Sequence, residues 1–307
     1  MQVFRGIPAR ASHSTVLTIG NFDGVHRGHR ALLARLTGLA KQAGLPAAVM
    51  TFEPNPREFF APQLAPARLT SLREKLQLLA ECGVDQVYVC AFNARFAALT
   101  ADEFVERIVR GLGVRHLMIG DDFRFGKGRA GDFALLARAG KEYGFGVEAM
   151  DTLVHEGERV SSSAVREALD AGDLEHAARL LGRPYCIAGR VVHGEKLGRK
   201  LGYATANIQL KRLKAPLSGV FVVTVDGIGG RPLEGVASLG VRPTVSAGDK
   251  LTLEASIFDY EGDLYYAHLR VNFLHKLRDE VKFDSLDALV AQIGRDVDAA
   301  RGYFAAA

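Results

Sequence analysis

Residues 20–29 read Gly20-Asn21-Phe22-Asp23-Gly24-Val25-His26-Arg27-Gly28-His29, and they directly follow the apolar run 15–19. The apolar run is typical of a buried strand, and the glycines predict a tight turn into a helix that carries His26 and His29. The first amides of a helix are unpaired and the peptide dipoles add there, so helix N-termini bind anions. The stretch therefore predicts a strand, a turn and a helix whose first turn holds a phosphate group.

The two imidazoles have three candidate roles at this point. A metal site needs a third ligand, and no other His or Cys lies at a suggestive position near His26 and His29. A satisfied core histidine is the second role. The flanking glycines and the strand-to-helix turn favour the third role, in which an imidazole donates to phosphate oxygens as charge develops on them.

The bulk composition is that of an ordinary soluble chain with room for two domains. The 307 residues are 48% hydrophobic and 24% charged, and 39 basic against 35 acidic residues give a formal net charge of +4. This excess suits anionic small molecules. The lack of Lys/Arg runs and of Trp argues against a nucleic-acid partner.

Cysteine usage and the N-terminal segment point to a reducing compartment. Cys82, Cys90 and Cys186 form neither an even framework nor a CxxC pair, so we expect no disulfide and no structural zinc. The N-terminus lacks an apolar signal core, and no segment reaches membrane-spanning length. We expect a cytoplasmic protein without a membrane partner, as a monomer or a weak homo-oligomer.

The first half of the chain alternates strand and helix patterns. Two capping boxes, Ser71 with Glu74 and Thr100 with Glu103, precede amphipathic runs and predict helix starts. The strands are continuously apolar, which fits a parallel sheet covered on both faces, so we predict a doubly wound, Rossmann-like α/β domain. The predicted strands are Val16–Gly20, Ala47–Phe52, Gln86–Phe92, His116–Gly120 and Gly146–Asp151.

Polar loops marked by glycine or proline follow four of these strands. Parallel strands end at the same edge of a sheet, so the loops predict one composite pocket there. For the loop that contains Pro54 and Pro56, a simple strand end explains the prolines equally well. The four loops are 21–24, 53–57, 92–93 and 121–126.

The pattern changes near Pro184, where we place the boundary between domains 1–184 and 185–307. Two short helices, Ser162–Leu169 and Leu174–Leu181, precede the boundary. Beyond it, short strands split by Gly, Pro and Asp turns predict a small antiparallel barrel or sandwich, closed by a helix over 286–304. The predicted strands are Ile187–Val192, Val220–Val225, Leu233–Leu239, Leu251–Phe258 and Leu269–Phe273. The apolar face predicted for the closing helix is Leu286, Leu289, Val290, Ile293 and Val297.

Three further patterns are ambiguous on their own. Residues 126–131 fit GxGxxG, but residues 121–125 separate them from the preceding strand, so we treat the match as accidental. Ser162 with Arg166 can clamp a phosphate at a helix start, or Ser161 or Ser162 can be an ordinary N-cap beside a solvated arginine. The segment 189–207, rich in glycine and cations, can wrap phosphates or be a solvated turn.

Glu254 lies on a predicted strand whose residues alternate between two faces. Leu251, Leu253, Ala255 and Ile257 point one way, so Glu254 and Ser256 point the other way. That second face is either simply solvated, or it presents a carboxylate that accepts a proton from a hydroxyl attacking ATP.

The first half resembles the FMN adenylyltransferase module of the bacterial bifunctional riboflavin kinase/FAD synthetases, and its His26–His29 spacing resembles the HxGH signature of nucleotidyltransferases. The resemblance implies that both histidines contact the ATP phosphates and that Ser162 and Arg166 form a mobile phosphate clamp. The matching segments are Ile19–His29, Thr51–Phe59, Leu117–Gly126 and Arg159–Arg166, within residues 15–183.

The other ATP-binding residues that the resemblance implies are Gly20, Phe22, Gly24 and Asp122. The implied flavin-binding residues are Pro54, Asn55, Pro56, Asn93 and Arg124. Asn55 stands where the family often has His, and Ser163 where it often has Thr.

Residues 184–304 resemble the riboflavin kinase module of the same family, through the glycine-rich segment after 189, the Glu254 strand and residues 240–245 and 263–265. The resemblance implies that Thr205 and Asn207 hold Mg²⁺ and ATP and that Glu254 activates the riboflavin 5′-hydroxyl. The other ATP-binding residues implied are Gly194, Gly198 and Arg199. The residues implied near the flavin are Arg278, Glu280 and Phe283. Three departures concern this module: Ala204 for a proline, Ser256 for a His and Tyr266 for a glycine.

The sequence therefore predicts a two-module enzyme. One module phosphorylates riboflavin to FMN with ATP and Mg²⁺, and the other transfers AMP from ATP to FMN, which releases pyrophosphate and FAD. The alternative is an FMN adenylyltransferase alone, whose kinase-like barrel has reduced or lost activity. A third hypothesis, an RNA-binding module, rests on the HxGH motif that class I tRNA synthetases share. The lack of basic runs and of an anticodon-binding helical domain disfavours it.

Overall fold

The computed structural model describes residues 1–193, 205–210, 212, 214–242 and 250–306. The chain forms two compact units. The first unit comprises Met1–Pro66 and Leu72–Ser161, and the second comprises Ala67–Ser71 and Ser162–Ala307. The predicted boundary at residue 184 stays a prediction, because a division by contacts need not coincide with a division by function.

The first unit is built on a six-stranded sheet in which every neighbouring pair is parallel, in the order β1-β4-β3-β2-β5-β6. The five predicted strands are confirmed with ends shifted by one or two residues. The sequence pattern missed β1, because this short strand is largely exposed and carries no apolar run. The strands are β1 (Gln2–Arg5), β2 (Thr15–Ile19), β3 (Ala47–Glu53), β4 (Gln86–Ala91), β5 (Val114–Gly120) and β6 (Gly146–Met150). A small hairpin follows, formed by β7 (Val154–His155) and β8 (Glu158–Arg159).

Helices connect these strands, and the two that the capping boxes predict begin at or next to those boxes. Thr100 and Glu103 form the predicted capping box, and α3 begins at Leu72, directly after Ser71. The helices are α1 (Arg27–Ala43), α2 (Pro56–Phe60), α3 (Leu72–Glu81), α4 (Ala94–Ala97), α5 (Ala101–Leu112) and α6 (Phe133–Tyr143). The GxGxxG-like segment forms a short 3-10 turn, Lys127–Arg129, rather than the start of a helix directly after a strand.

The sheet separates two apolar clusters, which makes the fold doubly wound. Along β2, Val16 packs with residues of α1 and α3, such as Leu33 and Leu79. The next residue, Leu17, packs on the other face with residues of α5 and α6, such as Ile108 and Leu136. The chain leaves β2 for β3 on one side and later adds β5 on its other side. This is a topological switch point, and the crevice outside the carboxyl ends of such strands is where open α/β sheets bind ligands.

In its described residues, the second unit is a closed six-stranded barrel with three helices, and the strand order is β10-β13-β12-β11-β14-β9. The barrel prediction is confirmed, but β10 was missed as a strand because few of its residues are apolar. The helices are α7 (Ser162–Asp170), α8 (Leu174–Leu181) and α9 (Leu286–Ala306). The strands are β9 (Tyr185–Val192), β10 (Thr205–Gln209), β11 (Gly219–Asp226), β12 (Leu233–Arg242), β13 (Lys250–Ile257) and β14 (His268–Arg278).

The predicted apolar face of α9 is wrong in its first turns. Leu286 and Val290 are exposed, whereas Val297 and Ala300 are buried against β11 and β12. Periodicity identifies the apolar side of a helix, but it does not show which turns have a packing partner. In the described residues, the barrel supplies that partner only to the second half of α9.

A charge pair holds this half of α9 on the barrel. The Arg278 guanidinium at the end of β14 donates from Nε to Asp296 Oδ1 at 2.9 Å and from Nη2 to Asp296 Oδ2 at 2.7 Å. Gln292 Nε2 donates to the same carboxylate at 2.8 Å. Because Asp296 is buried, removing its charge leaves a partly buried guanidinium without its counter-ion.

We therefore expect Asp296→Asn to lower the free energy of unfolding by about 2–3 kcal/mol, below the usual loss for a fully buried pair because Arg278 is partly exposed. Denaturant unfolding of the full chain measures this. The matched control is Asp298→Asn, two residues along the same helix on its exposed side. Equal stability of the two variants would contradict a structural role for the pair.

Candidate functional site

The turn after β2 has a strained backbone that the core holds in place. Phe22 and Val25 have φ values of 49° and 42°, a region that side-chain-bearing residues rarely adopt, and Gly24 between them has φ 83°. Phe22 and Val25 are nevertheless almost completely buried. Strain of this kind costs about 1–3 kcal/mol per residue and clusters at ligand-binding sites.

His26 caps the helix that follows this turn. Its Nδ1 accepts a hydrogen bond from the backbone N–H of His29 at 3.3 Å, in the position where Ser, Thr or Asp usually serves. An accepting Nδ1 carries no proton, so the neutral ring has its proton on Nε2. A Cβ at position 28 would lie 3.2 Å from the His26 ring, so any side chain larger than that of Gly28 would crowd the ring.

His29 stacks on His26 and is held neutral. The ring centroids are 3.7 Å apart with an interplanar angle of 20°, and the Phe22 ring lies 5.0 Å from His29. Burial lowers the pKa of His29 well below its usual 6.5, and the charges of His26 and Lys75 lower it further. Its Nδ1 is buried and has no hydrogen-bond partner among the described residues.

A buried lysine behind these rings escaped the sequence analysis. Lys75 on α3 is 2% exposed, and its Nζ donates to Thr51 Oγ1 at 3.3 Å. The Thr51 hydroxyl in turn donates to the carbonyl of Asn21, in the turn after β2, at 3.3 Å. Its spacing could have indicated burial. Lys75 precedes the buried Leu78 and Leu79 by three and four residues, so it lies on the apolar side of α3.

The remaining candidate ATP residues of the first unit lie at the same sheet edge. Gly20 packs against the Phe22 ring, and its N–H donates to the Met50 carbonyl at 3.1 Å. Asp122, in the loop after β5, is exposed, and its Oδ2 lies 3.5 Å from Arg159 Nη2. The loops after β2 and β5 thus carry polar groups at the switch point of the sheet.

The candidate flavin residues lie at the ends of β3, β4 and β5, where several have local structural roles. Pro56 is the first residue of α2, and Asn55 precedes it as the N-cap. The Asn55 backbone N–H donates to Glu58 Oε2 at 3.1 Å. Asn93 Oδ1 caps α4 by accepting from Phe96 N–H at 2.9 Å. Arg124 Nη1 donates to the neighbouring Phe123 carbonyl at 3.2 Å.

An aromatic cluster lies at the ends of β3 and β4 and on the short helices that follow them, and no sequence pattern indicated it. Neighbouring ring centroids lie 5.2–5.7 Å apart, in mostly edge-to-face arrangements. Phe60 is 68% exposed, so the cluster opens to solvent at one side. The members are Phe52, Phe59, Phe60, Phe92 and Phe96.

The candidate phosphate clamp begins α7 in the second unit. Arg166 Nη1 donates to the Ser162 carbonyl at 3.1 Å, and Arg166 Nε donates to the Ala67 carbonyl at 2.6 Å. Backbone carbonyls therefore hold the guanidinium near the first turn of the helix. Its predicted contact with phosphate stays a prediction.

The barrel brings several candidate kinase residues into one cross-strand row. Glu254 on β13 lies directly opposite Asn207 on β10 and directly opposite Ser238 on β12. Beside this row, Thr205 Oγ1 and Ser256 Oγ are 3.3 Å apart. Leu253 and Ala255, on either side of Glu254 along β13, are buried. Because successive side chains of a strand point to opposite faces, the row lies on the outer face of the barrel, the face predicted for Glu254.

The segment after β14 reaches the same face. Ser238 Oγ donates to Glu280 Oε1 at 2.7 Å, and a Cβ at Gly240 would collide with the Glu280 carboxylate. The Arg278 guanidinium lies over the Phe283 ring, with its Cζ 5.8 Å from the ring centroid. Glu280 is thus close to the Glu254 row, whereas Arg278 is engaged by Asp296.

Some of the predicted kinase residues cannot be placed. Gly194, Gly198, Arg199 and Ala204 lie outside the described residues. Tyr266, which replaces a glycine of the resembled module, has φ 64°, the region that favours glycine, and its hydroxyl lies 3.3 Å from His193 Nε2.

Two family models match the chain in succession. Residues 9–164 match the family described as FAD synthetase, and residues 181–304 match the family described as riboflavin kinase. The relatives named bifunctional riboflavin kinase/FMN adenylyltransferase include one from Escherichia coli, 52% identical over 99% of this chain and 98% of the relative. Another, from Pseudomonas fluorescens, is 55% identical over 98% of this chain and 97% of the relative. The chain belongs to this family.

A solved structure has the same fold along the whole chain. It is described as a macrolide-efflux protein from Streptococcus pneumoniae, and it superposes with a TM-score of 0.80 at 32% identity over 97% of this chain and 98% of that one. In the described ranges of the present chain, no helix has the length and apolar character needed to cross a bilayer.

The prediction of a two-step enzyme is confirmed. The chain carries both a riboflavin kinase domain and an FMN adenylyltransferase domain, and it is an ATP-dependent transferase of FMN and FAD synthesis. The alternative with a single activity is therefore not needed.

The His29 ring offers a direct test of the site's electrostatics. We expect its NMR titration midpoint to lie well below 6.5, so that the ring is neutral at pH 7 and gains a proton only in acid, because burial and the neighbouring positive charge both oppose the imidazolium form. The His29 signal, assigned by its loss in His29→Gln, is followed from pH 8 to 4. A midpoint at or above the ordinary value would contradict the description of this site.

Proposed function

We propose that the first unit transfers AMP from ATP to FMN at the turn between β2 and α1. The observation that carries this assignment is the stacked His26–His29 pair on the first turn of α1, at the switch point of the sheet. An FMN phosphate oxygen attacks the α-phosphorus of ATP. As that bond forms, the bond from the α-phosphorus to the bridging oxygen breaks and pyrophosphate leaves.

The two rings stabilise charge rather than transfer a proton. His26 in its neutral form has its proton on Nε2, and a neutral His29 also offers one N–H donor. Donors already in place where phosphate charge develops lower the barrier without reorganisation. Such transfers depend chiefly on positioning and charge stabilisation, so a pair of positioned N–H donors suffices for the protein's part.

We assign flavin binding to the loops after β3, β4 and β5. Pro54, Asn55, Pro56, Asn93 and Arg124 are the assigned residues, and the open aromatic cluster around Phe60 and Phe92 supports this location. Aromatic side chains pack well on a planar ring system. Gly20, Phe22, Gly24 and Asp122 complete the ATP site proposed for the first unit. Ser162 and Arg166, at the start of α7, are the proposed phosphate clamp.

The barrel face carries the proposed kinase site. Glu254 accepts the proton of the riboflavin 5′-hydroxyl as that oxygen attacks the γ-phosphorus of ATP, and ADP leaves. The hydroxyl of Thr205 and the amide oxygen of Asn207 are hard donors of the kind Mg²⁺ prefers, two residues apart on β10 and beside Glu254. They would hold Mg²⁺, which supplies charge neutralisation on the ATP phosphates when bound. Gly194, Gly198 and Arg199 are the other residues assigned to the ATP site of this unit. Arg278, Glu280 and Phe283 are assigned to its flavin site.

The proposal includes the functional boundary at residue 184 and a cytoplasmic location, as a monomer or a weak homo-oligomer. The three cysteines are free, which is consistent with a reducing compartment. Neither a nucleic acid nor a membrane is part of the proposal.

His29→Ala tests the first site. We expect FAD formation from FMN to fall by at least about 100-fold, because one of the two donors to the developing charge is lost. FMN formation from riboflavin by the same preparation is the control and should be unchanged. Equal loss of both products, separated by chromatography, would argue against separate sites.

Glu254→Gln tests the second site in the opposite direction. The amide keeps the shape of the side chain but cannot accept the proton, so FMN formation should fall by about 10²- to 10⁴-fold while FAD formation from supplied FMN persists. Glu234→Gln, an exposed position on the same barrel, is the matched control. A normal kinase rate in Glu254→Gln would remove the general-base role.

A further inference from the structure

His29 and Lys75 each lie on the side of their helix that faces one apolar cluster. His29 lies four and seven residues before Leu33 and Leu36 on α1, and Lys75 lies three and four residues before Leu78 and Leu79 on α3. All four leucines belong to the cluster on this face of the sheet. Side chains at these spacings share a helix face, so both polar groups lie on the core side of their helices.

The sheet contributes two further buried polar groups to this place. Thr18 and Thr51 are completely buried, and they share strand parity with Val16 and Val49, which belong to the same cluster. Thr51 binds Lys75 Nζ, whereas Thr18 Oγ1 has no hydrogen-bond partner in the described part of the chain. Buried polar side chains in an apolar cluster are costly and seldom accidental.

His29 Nδ1 is likewise buried, and it has no hydrogen-bond partner among the described residues. A neutral imidazole has one N–H and one lone pair, and the choice between its two nitrogens depends on their neighbours. A fixed positive charge on the core side favours the lone pair on that side and the proton on the opposite nitrogen. Both Nδ1 and the Lys75 side chain are buried, so the charge acts with little solvent screening.

We propose that Lys75 is a positioning residue for adenylyl transfer, which holds His29 in the tautomer with a lone pair on Nδ1 and the proton on Nε2. His26 has the same tautomer, because its Nδ1 accepts the His29 backbone N–H. The two stacked rings then present matching Nε2–H donors to one phosphate chain. The inference deepens the proposed function and rests on it.

The groups that face His29 support this assignment. His26 is the titratable neighbour on its own helix, and Lys75 faces it from α3. The sheet contributes Thr18 and Thr51, which do not titrate. After burial and His26, the Lys75 charge also lowers the pKa of His29.

Ring-nitrogen NMR of the full chain labelled with ¹⁵N-histidine tests the tautomer without substrate, since protonated and unprotonated ring nitrogens have distinct shifts. At pH 7 we expect His29 to be protonated on Nε2 alone. In Lys75→Met, which removes the charge and keeps the length, we expect a mixture with the Nδ1–H form. Lys41→Met, an exposed position on α1, should match the wild type.

Activity gives the second readout. Lys75→Met should lose about 10- to 100-fold in kcat for FAD formation, with KM for ATP changed less, because misaligned groups affect the chemical step. FMN formation by the same chain reports on folding and should be unchanged. If the wild-type protein made no FAD from FMN, the proposed function would be wrong, whichever tautomer His29 adopts.

Three results would overturn the inference about Lys75 itself. The first is a wild-type His29 protonated on Nδ1. The second is an unchanged tautomer in Lys75→Met, and the third is a parallel loss of both activities, which would indicate that the lysine serves only the fold.

Discussion

The first turn of α1 is capped by an imidazole, and the proposed adenylyl-transfer site depends on this hydrogen bond. Because His26 Nδ1 binds the backbone of His29, the cap fixes the ring over Gly28 and brings the second ring into stacking contact. The same hydrogen bond determines which nitrogen of His26 keeps its proton. The cost is a backbone turn in which Phe22 and Val25 adopt positive φ values, and burial of both side chains offsets it.

The two units place polar groups on different parts of their folds. In the first unit they lie at the carboxyl edge of a parallel sheet, beside the switch point at which open α/β sheets bind ligands. In the second they lie on the outer face of a closed barrel, in a row formed by the register of three strands. The register puts Asn207, Glu254 and Ser238 side by side although they are far apart in sequence. Glu280 reaches this row from the segment that Arg278 and Asp296 anchor.

Much of this architecture could be read from the sequence, since continuous apolar runs and capping boxes specify strands and helices locally. The elements that escaped lack such signals: β1 is exposed, and β10 has few apolar residues. In the first turns of α9 the pattern misled in the opposite direction, because residues with apolar spacing have no packing partner there and are exposed. Lys75 was missed because its role depends on β3 and α1, and only tertiary structure brings a lysine on α3 to Thr51. The aromatic cluster joins residues of β3, α2 and α4 and is likewise invisible to local patterns.

We propose that a phosphate chain binds against the first turn of α1, beside the stacked His26 and His29 imidazoles. A crystal structure of the full chain with a non-hydrolysable ATP analogue tests it most directly. We expect phosphate oxygens within hydrogen-bond distance of both the His26 and His29 rings. Analogue bound elsewhere in the first unit, with both rings packed away from every phosphate, would contradict it.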